Sequence, residues 1–482
     1  MNTMDMGFQP ELRVLSQQDK EKIFNGALRV LEEGGMQLMH AGALRLLKDA
    51  GCILDGERTV KIPRDRVKQA MASAPDNILV YNREGEHVMD LGGRRAYFGT
   101  GSDLMWSLDA ETHERHHTTL ADIEKAALLC DALPNIDFIM SFAHPHEMDP
   151  DAAYLESFRC MAANSIKPIV NTAKDRGDLE KMWEIGTIFR GSEARHTELP
   201  YTIHYAEPIS PLKHPHSSVD RLMFCAEKGM PSIYSPAPIA GSTAPMTIAG
   251  HVVQGLAESL FGLVVHQLTR QGSPFIVGIG TAVLDMSTSQ CSYNAPEYLM
   301  AYLAMVEMSH FLNLPNWGYA GTSDSQVPDG QATFEAGLMT YMSMVAGSNL
   351  NHDIGYLDFG LTGSLEMIVI MDEVVDQLRR MQKGIPVNDE TLAIEVIAEG
   401  GQNGEFLSHP HTLKHLRETQ WRPKLMNRMG FEQWDREGRK DLLTKARERL
   451  QAVLQGHRPR PVEPRQAERV QACVDQYRAQ FK

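Results

Sequence analysis

The chain has 482 residues, 43% hydrophobic and 23% charged, the proportions of an ordinary globular protein. A formal net charge of −15 excludes the basic surface that a nucleic-acid backbone requires. Six scattered cysteines with no C-x-x-C pair give no disulfide framework, and the polar stretch Met1–Lys20 lacks the apolar core of a signal peptide; with no evident run of about 18 apolar residues, these features predict a cytoplasmic protein without a membrane span.

Residues 1–95 read as an N-terminal α+β extension. Two helical stretches, Lys20–Gly34 and His40–Gly51, precede polar strand-like pieces between Asn77 and Leu91. Residues 96–384 then alternate short β-like runs with longer helical ones, the βα signature. The strands are predicted at Ala96–Thr100, Ile136–Phe142, Pro168–Asn171, Tyr201–Tyr205, Pro231–Ser235, Phe275–Ile279, Asn316–Tyr319 and Asn349–His352.

The helices between and after them are Leu120–Leu133, Asp151–Ala163, Asp178–Phe189, Ser218–Lys228, Thr247–Thr269, Pro296–Phe311, Gln331–Val345 and Ser364–Lys383. Thr119 or Asp122, and Ser217 or Ser218, are suited to cap two of them. Eight strands each followed by a helix is the count of a TIM (β/α)8 barrel, an α/β fold; an open doubly wound sheet shares the alternation. Residues 385–482 form a charged helical C-terminal extension, with a break at Gly456–Pro464 before a last helix, Arg465–Phe481.

In such a barrel the residues just beyond each strand line the active-site face. Here they include Asp103 and Trp106, His144-Pro145-His146-Glu147, Asn171, His204-Tyr205 with Glu207, Tyr234, Tyr319, His352-Asp353, Tyr356 and Phe359. Aromatic, hydroxyl and amide groups dominate this inferred mouth, and no Arg stands at a strand end. Asp324, Asp329 and Asp353 would repel a phosphate, whereas aromatic faces stabilise a methylated ammonium by about 0.5–2 kcal/mol each. Aromatics are also common in cores, which is the alternative role for Tyr97, Phe98, Tyr205, Trp317 and Phe359.

H-P-H occurs three times, at His144–His146, His214–His216 and His409–His411, but H-E-x-x-H is absent and no metal ligand is assigned. G-x-x-x-x-G-K-[ST], G-x-G-x-x-G after a strand and G-x-S-x-G are absent too. A metal-dependent barrel lyase or hydrolase using HPHE and HYAE, and a non-enzymatic quaternary-amine binding protein, are the competing readings.

FGTGSD (Phe98–Asp103), PIVNTA (Pro168–Ala173), GYAGTSDSQVPDGQ (Gly318–Gln331), NLNHDIGYLDFG (Asn349–Gly360) and FLSHPHTLKHLRE (Phe406–Glu418) together resemble the trimethylamine methyltransferase superfamily, in its branch without pyrrolysine. The likeness is greatest to glycine betaine methyltransferases. It implies a TIM barrel that passes a methyl group from a quaternary amine to the Co(I) corrinoid of a separate protein, with no cofactor bound in this chain. For glycine betaine the released product is dimethylglycine; proline betaine and carnitine are alternatives. A quaternary ammonium already carries a neutral amine as leaving group, so direct displacement needs no proton and no special electrophile, and catalysis is positioning.

On this reading His352, His204 and Asn171 are the candidate catalytic positions, able to hold a substrate carboxylate, with a histidine raised in pKa binding as the cation. Tyr97, Phe98, Asp103, Tyr205, Tyr234, Tyr356 and Phe359 are the candidate substrate-binding positions. The likeness and the charged C-terminal helices together suggest a homo-oligomer, and a solvated face is the alternative account of those charges.

Overall fold

The computed structural model describes residues 11–278 and 280–481. Met1–Pro10, and Ile279 at the end of the sixth predicted strand, lie outside the described residues. Seven parallel strands form the central sheet, in the spatial order Tyr97–Phe98, Leu350–His352, Asn316–Tyr319, Phe275–Gly278, Ser232–Tyr234, Thr202–Ala206 and Ile169–Asn171. Each is one of the predicted runs, and each is followed by its helix on the outer side.

The second predicted strand, Ile136–Phe142, makes no ladder of its own. It contributes two isolated parallel bridges instead, Gly99 with Phe138 and Ile139 with Ile169, which join the two edges of the sheet. The Asp137 N–H donates to Phe98 O at 2.6 Å, and the Val170 N–H donates to Ile139 O at 2.9 Å. The result is a barrel-like α/β fold.

Inward-facing Phe138, Met140, Val170, Ile203, Ile233, Ile276, Trp317 and Leu350 fill the lower interior. They pack on Ile78, Val80, Met89 and Leu91 of a hairpin, Asn77–Tyr81 with His87–Gly92. The Tyr81 N–H donates to Pro200 O, just ahead of the Thr202 strand, so the hairpin plugs the end where the strands begin. Burial alternates along Asn77–Tyr81, with Ile78 and Val80 turned in and Asn77 and Leu79 exposed, the period-two pattern of a half-buried strand.

The rest of the N-terminal extension covers one helix. Ile248–Thr269 is long and apolar enough, by length and composition, to cross a membrane, although His251, Gln254, Glu258 and His266 interrupt the run in the sequence. In the structure 72% of its most apolar window is buried. It packs against the Gln17–Arg29, Arg64–Ser73, His216–Lys228 and Pro296–Phe311 helices. A helix apolar all round needs such cover.

Of the two candidate caps at Leu120, Thr119 is the N-cap, and Asp122 closes a capping box with it. The other predicted cap is displaced: the helix begins at His216 behind Pro215, whose fixed φ suits a helix entry. At the C-terminal end of the chain, Leu442–Gly456 packs on Leu365–Gln382 and Leu120–Ala132. The last helix, Pro464–Arg478, is held to Arg176–Arg190, with the Tyr477 hydroxyl donating to Asp178 Oδ1 at 2.5 Å.

Leu91 is fully buried in the plug, so Leu91→Ala should cost about 2–5 kcal/mol of stability. Chemical denaturation measures this, and a loss under about 1 kcal/mol would show that the hairpin does not hold the lower end together.

Candidate active site

Successive side chains of a strand point to opposite sides of the sheet. In the Thr202–Ala206 strand, Ile203 and Tyr205 face the interior and His204 faces the helices. Asn171 also faces outward, its amide reaching Met182 Sδ on the Arg176–Arg190 helix. His204 Nδ1–H donates to Asn171 O at 3.1 Å. Tyr234 points outward as well, within hydrogen-bonding distance of His214 Nδ1 at 2.8 Å, and Phe98 packs in the helix layer. Tyr97 faces inward but at the plugged end, where its hydroxyl accepts from the Asp90 N–H. These five expected site residues therefore stand away from the mouth: in three cases the pleat turns them out, in Phe98 likewise, and Tyr97 sits one strand-length too low.

The structure brings a different set together. Tyr205, Tyr319 and His352 face inward near the strand ends, above Trp317, on which His352 stacks at 4.1 Å. Tyr293 and Tyr298 extend this wall, their rings 6.1 and 5.6 Å from Tyr319. Tyr356 closes it, donating to Ser102 O at 2.6 Å. A Cβ on Gly101 would lie 2.2 Å from Asp353 Oδ1 and 2.3 Å from the Tyr356 hydroxyl, so this strand end needs glycine to admit both groups. Phe359 lies partly exposed in the following loop, where it and Asp358 adopt positive φ of 56° and 57°. Asp103 and Asp353 do the same, at 64° and 79°; such backbone strain gathers at functional sites.

Two small sheets roof the mouth. One joins Trp106–Leu108 and Arg115–His117 to Tyr356–Leu357 and Thr362–Gly363; the other joins Ile239–Ala240, Ala282–Leu284 and Cys291–Ser292. Under this roof Asp103 and Glu207 are accessible to solvent yet closely surrounded by protein. Burial raises the pKa of each, and in Glu207 the Asp103 charge adds to the rise. The Tyr205 hydroxyl donates to Glu207 Oε2 at 3.0 Å, while Ser102, Thr172 and Tyr154 hydrogen-bond Asp103. Tyr205, Tyr319 and Tyr356 are held well above their ordinary pKa, chiefly by burial, and stay neutral.

His352 is neutral as well, and this corrects its expected role as a cationic anchor. Burial lowers its pKa to about 3. Its Nδ1 lies 2.7 Å from Gly318 O, a carbonyl that only accepts, so Nδ1 carries the hydrogen and Nε2 is bare. Asp353 Oδ1 stands 3.3 Å from Nε2, and burial raises the Asp353 pKa well above that of an ordinary carboxyl. A protonated Asp353 donating to Nε2 gives a neutral pair.

The missed members had weak signals. Tyr293 and Tyr298 precede and open the Pro296–Phe311 helix, away from the ends of the central strands; Tyr298 and Tyr302, four apart on one helical face, were the available cue. Arg221, which burial depresses in pKa, reaches the end of the Ile169–Asn171 strand from inside a helix, donating to Lys174 O at 2.7 Å and also to Ala173 O.

The three H-P-H motifs go to separate tasks. His144 lies beside Tyr154, and His146 stacks on His117, which stacks on Trp106 under the Arg115 guanidinium. Glu147 Oε1 accepts from the Leu120 N–H at 2.7 Å, capping a helix. His214 stacks on Phe261, His216 meets His40 edge to face, and His409 caps the Pro410–Thr419 helix. Among the described residues, no three His, Cys, Asp or Glu side chains converge as a metal site.

Comparison with known proteins agrees with this architecture. The family model of trimethylamine methyltransferase (MTTB) matches residues 4–482. Trimethylamine methyltransferase MttB of Desulfitobacterium hafniense (strain DSM 10664 / DCB-2) is 29% identical over 419 residues, covering 87% of this chain and 84% of its own. Glycine betaine methyltransferase of D. hafniense (strain Y51) is 28% identical over 427 residues, 88% of each chain. The monomethylamine methyltransferase MtmB of Methanosarcina barkeri superposes with a TM-score of 0.52 at 13% identity, over 93% of this chain and 90% of its own, a likeness of fold. The chain belongs to the trimethylamine methyltransferase family.

Proposed function

We propose that this methyltransferase takes a methyl group from a quaternary amine and delivers it to the Co(I) corrinoid of a separate protein docked over the mouth. We further propose that the sheet closes as a TIM (β/α)8 barrel, a reading supported by the bridges at Gly99–Phe138 and Ile139–Ile169. The observation that carries the functional reading is the wall of neutral aromatic rings facing Asp103 and Glu207 under a roof. A permanent cation is attracted by ring faces and by carboxylates alike, and it needs no hydrogen-bond donor.

The acceptor supplies a two-electron nucleophile; the C–N bond breaks with its electron pair on nitrogen, which leaves as a neutral tertiary amine. The chain's own residues hold the ammonium, orient one methyl toward the opening and keep water out. No proton transfer is required of them, which suits a site whose tyrosines and His352 are locked neutral.

Glycine betaine, yielding dimethylglycine, is the substrate favoured by sequence likeness. The structure adds a charge condition to it. Asn171 and His204, assigned to the substrate carboxylate from sequence, are turned into the helix layer. Recognition therefore rests on the trimethylammonium head, and proline betaine and carnitine share that dependence on a methylated ammonium.

Incubation with glycine betaine and a reduced corrinoid protein should form the methyl-Co(III) species, read by its absorbance; no change with any quaternary amine would remove the reading. Tyr293→Leu keeps bulk but deletes a ring face, and should weaken tetramethylammonium binding about 2- to 30-fold, the equivalent of about 0.5–2 kcal/mol. Calorimetric titration decides it, unchanged affinity placing Tyr293 outside the cage.

The pH dependence has a definite sign. Asp103 and Glu207 attract a cation only when ionised, and burial moves their titration above the ordinary carboxylate pKa of about 4. Affinity for tetramethylammonium should fall as the pH drops through those raised values, and the Asp103→Asn/Glu207→Gln variant should bind weakly with a flat profile. A wild-type profile equally flat from pH 8 to about 4 would rule the two carboxylates out as cation partners.

A further inference from the structure

Ring faces hold a methylated ammonium whatever its fourth substituent is, so the charged groups around the wall decide which substituent can enter. Those groups are acidic. Glu207 bears on the hydroxyls of Tyr205, Tyr293 and Tyr319, and Asp103 on that of Tyr356, each carboxylate pushing the hydroxyl pKa upward. Among the described residues, the charges acting most strongly on these four rings include no Lys or Arg. Both carboxylates are open to the space under the roof. Glu207 Oε2 accepts from the Tyr205 hydroxyl at 3.0 Å, whereas no described donor reaches Glu207 Oε1.

The cations near this end are committed elsewhere. Arg115 pairs with Asp358 at 3.0 Å above the Trp106 ring. Lys174 pairs with Asp151 at 2.5 Å and lies 5.0 Å from the centre of the Phe481 ring. Arg221 is the cation that bears on Glu207, and it is only 9% exposed. Its Nη1 donates to both Ala173 O and Lys174 O, and its Nε is sealed from solvent without a partner. A carboxylate grips a guanidinium across two neighbouring nitrogens. With Nη1 spent on main-chain carbonyls and Nε walled in, neither such edge of Arg221 is open.

We propose that the site selects quaternary amines whose fourth substituent carries no negative charge, so that its substrate is a net cation and not a zwitterion. The inference rests on the quaternary-amine reading above and narrows it, turning the choice away from the betaines that likeness favours. In glycine betaine the carboxylate stands one methylene from the nitrogen. Wherever Asp103 and Glu207 hold the head, that carboxylate enters the field of both with no cation to receive it. Like charges brought together where water is largely excluded repel strongly. A hydroxyl arm meets the opposite case. A quaternary nitrogen has no hydrogen to give Glu207 Oε1, so that acceptor stays free for a hydroxyl on the substrate.

Calorimetric titration of the full-length protein at pH 8 with tetramethylammonium, choline and glycine betaine tests this. Both monocations should bind about tenfold or more tighter than glycine betaine. The Asp103→Asn/Glu207→Gln variant should lose affinity for the monocations and keep or gain it for glycine betaine, drawing the three together. Wild-type protein that binds glycine betaine as tightly as tetramethylammonium would overturn the inference. So would a double variant, folded by circular dichroism, that weakens all three in parallel, or an Arg221→Gln variant that loses glycine betaine while retaining tetramethylammonium. Failure of all three ligands to bind would remove the quaternary-amine reading itself, and the inference with it.

Discussion

The pleat of very short strands governs this site. A parallel strand of three to five residues offers only one or two inward positions near its C-terminal end, and each inward residue commits its neighbours to the helix layer. Tyr205, Tyr319 and His352 hold those inward places, so His204, Gly318 and Asn351 cannot. The helix layer then imposes its own demands: a polar group there must find a partner or go without. His204 donates to Asn171 O and Asn351 Nδ2 to Tyr97 O, bonds that knit strand to strand, while Asn351 Nδ2 also donates to Ser348 O just before its own strand. Residues that look chemical in a list are, in the sheet, fastenings between strands.

That partition divides the interior by height. Aliphatic and aromatic side chains from the strands meet the Asn77–Gly92 hairpin below, where the chain can be filled without polar groups. Above Trp317 the interior changes to tyrosine, histidine and carboxyl. The polar atoms there are held by one another and by main-chain carbonyls: Tyr356 by Ser102 O, His352 by Gly318 O, Tyr205 by Glu207. Each such bond fixes a ring face or a lone pair in place before any ligand arrives, and positive-φ residues at 103, 353, 358 and 359 show where the loops bend to allow it.

Much of the fold was readable from the sequence because period and length are local properties. The eight predicted helices lie within a few residues of observed ones, and seven of the eight strands form the central sheet. The exception, Ile136–Phe142, reads as a strand by composition but bridges its neighbours only at Phe138 and Ile139, with Phe142 already bent to φ 65°. The site was less legible. Asn171, His204 and Tyr234 each stand one position from an inward residue of their own strand, and a one-residue shift exchanges the two faces. Tyr293, Tyr298 and Arg221 come from helices or the turns before them, which no strand-end rule can find. Asp103 lies in a loop beyond its strand, where no such parity applies.

The character of the cage also bears on how a methyl group could leave it. If the proposed reaction holds, the substrate enters as a full cation and its nitrogen loses charge as the C–N bond lengthens. Attraction to fixed negative charge is then strongest in the ground state, and binding of that kind lowers KM without raising kcat. A cage of several ionised carboxylates would work against the transfer. Here most of the wall is neutral: the tyrosines by their raised pKa, and the His352–Asp353 pair by sharing a proton. Burial raises the pKa of Asp103 and of Glu207, so their anionic forms are less favoured here than in water. Ring quadrupoles favour the cation modestly, and they hold a neutral tertiary amine far less. The same balance that keeps the ground state from being over-stabilised lets the product go, because demethylation removes the charge on which the attraction depends.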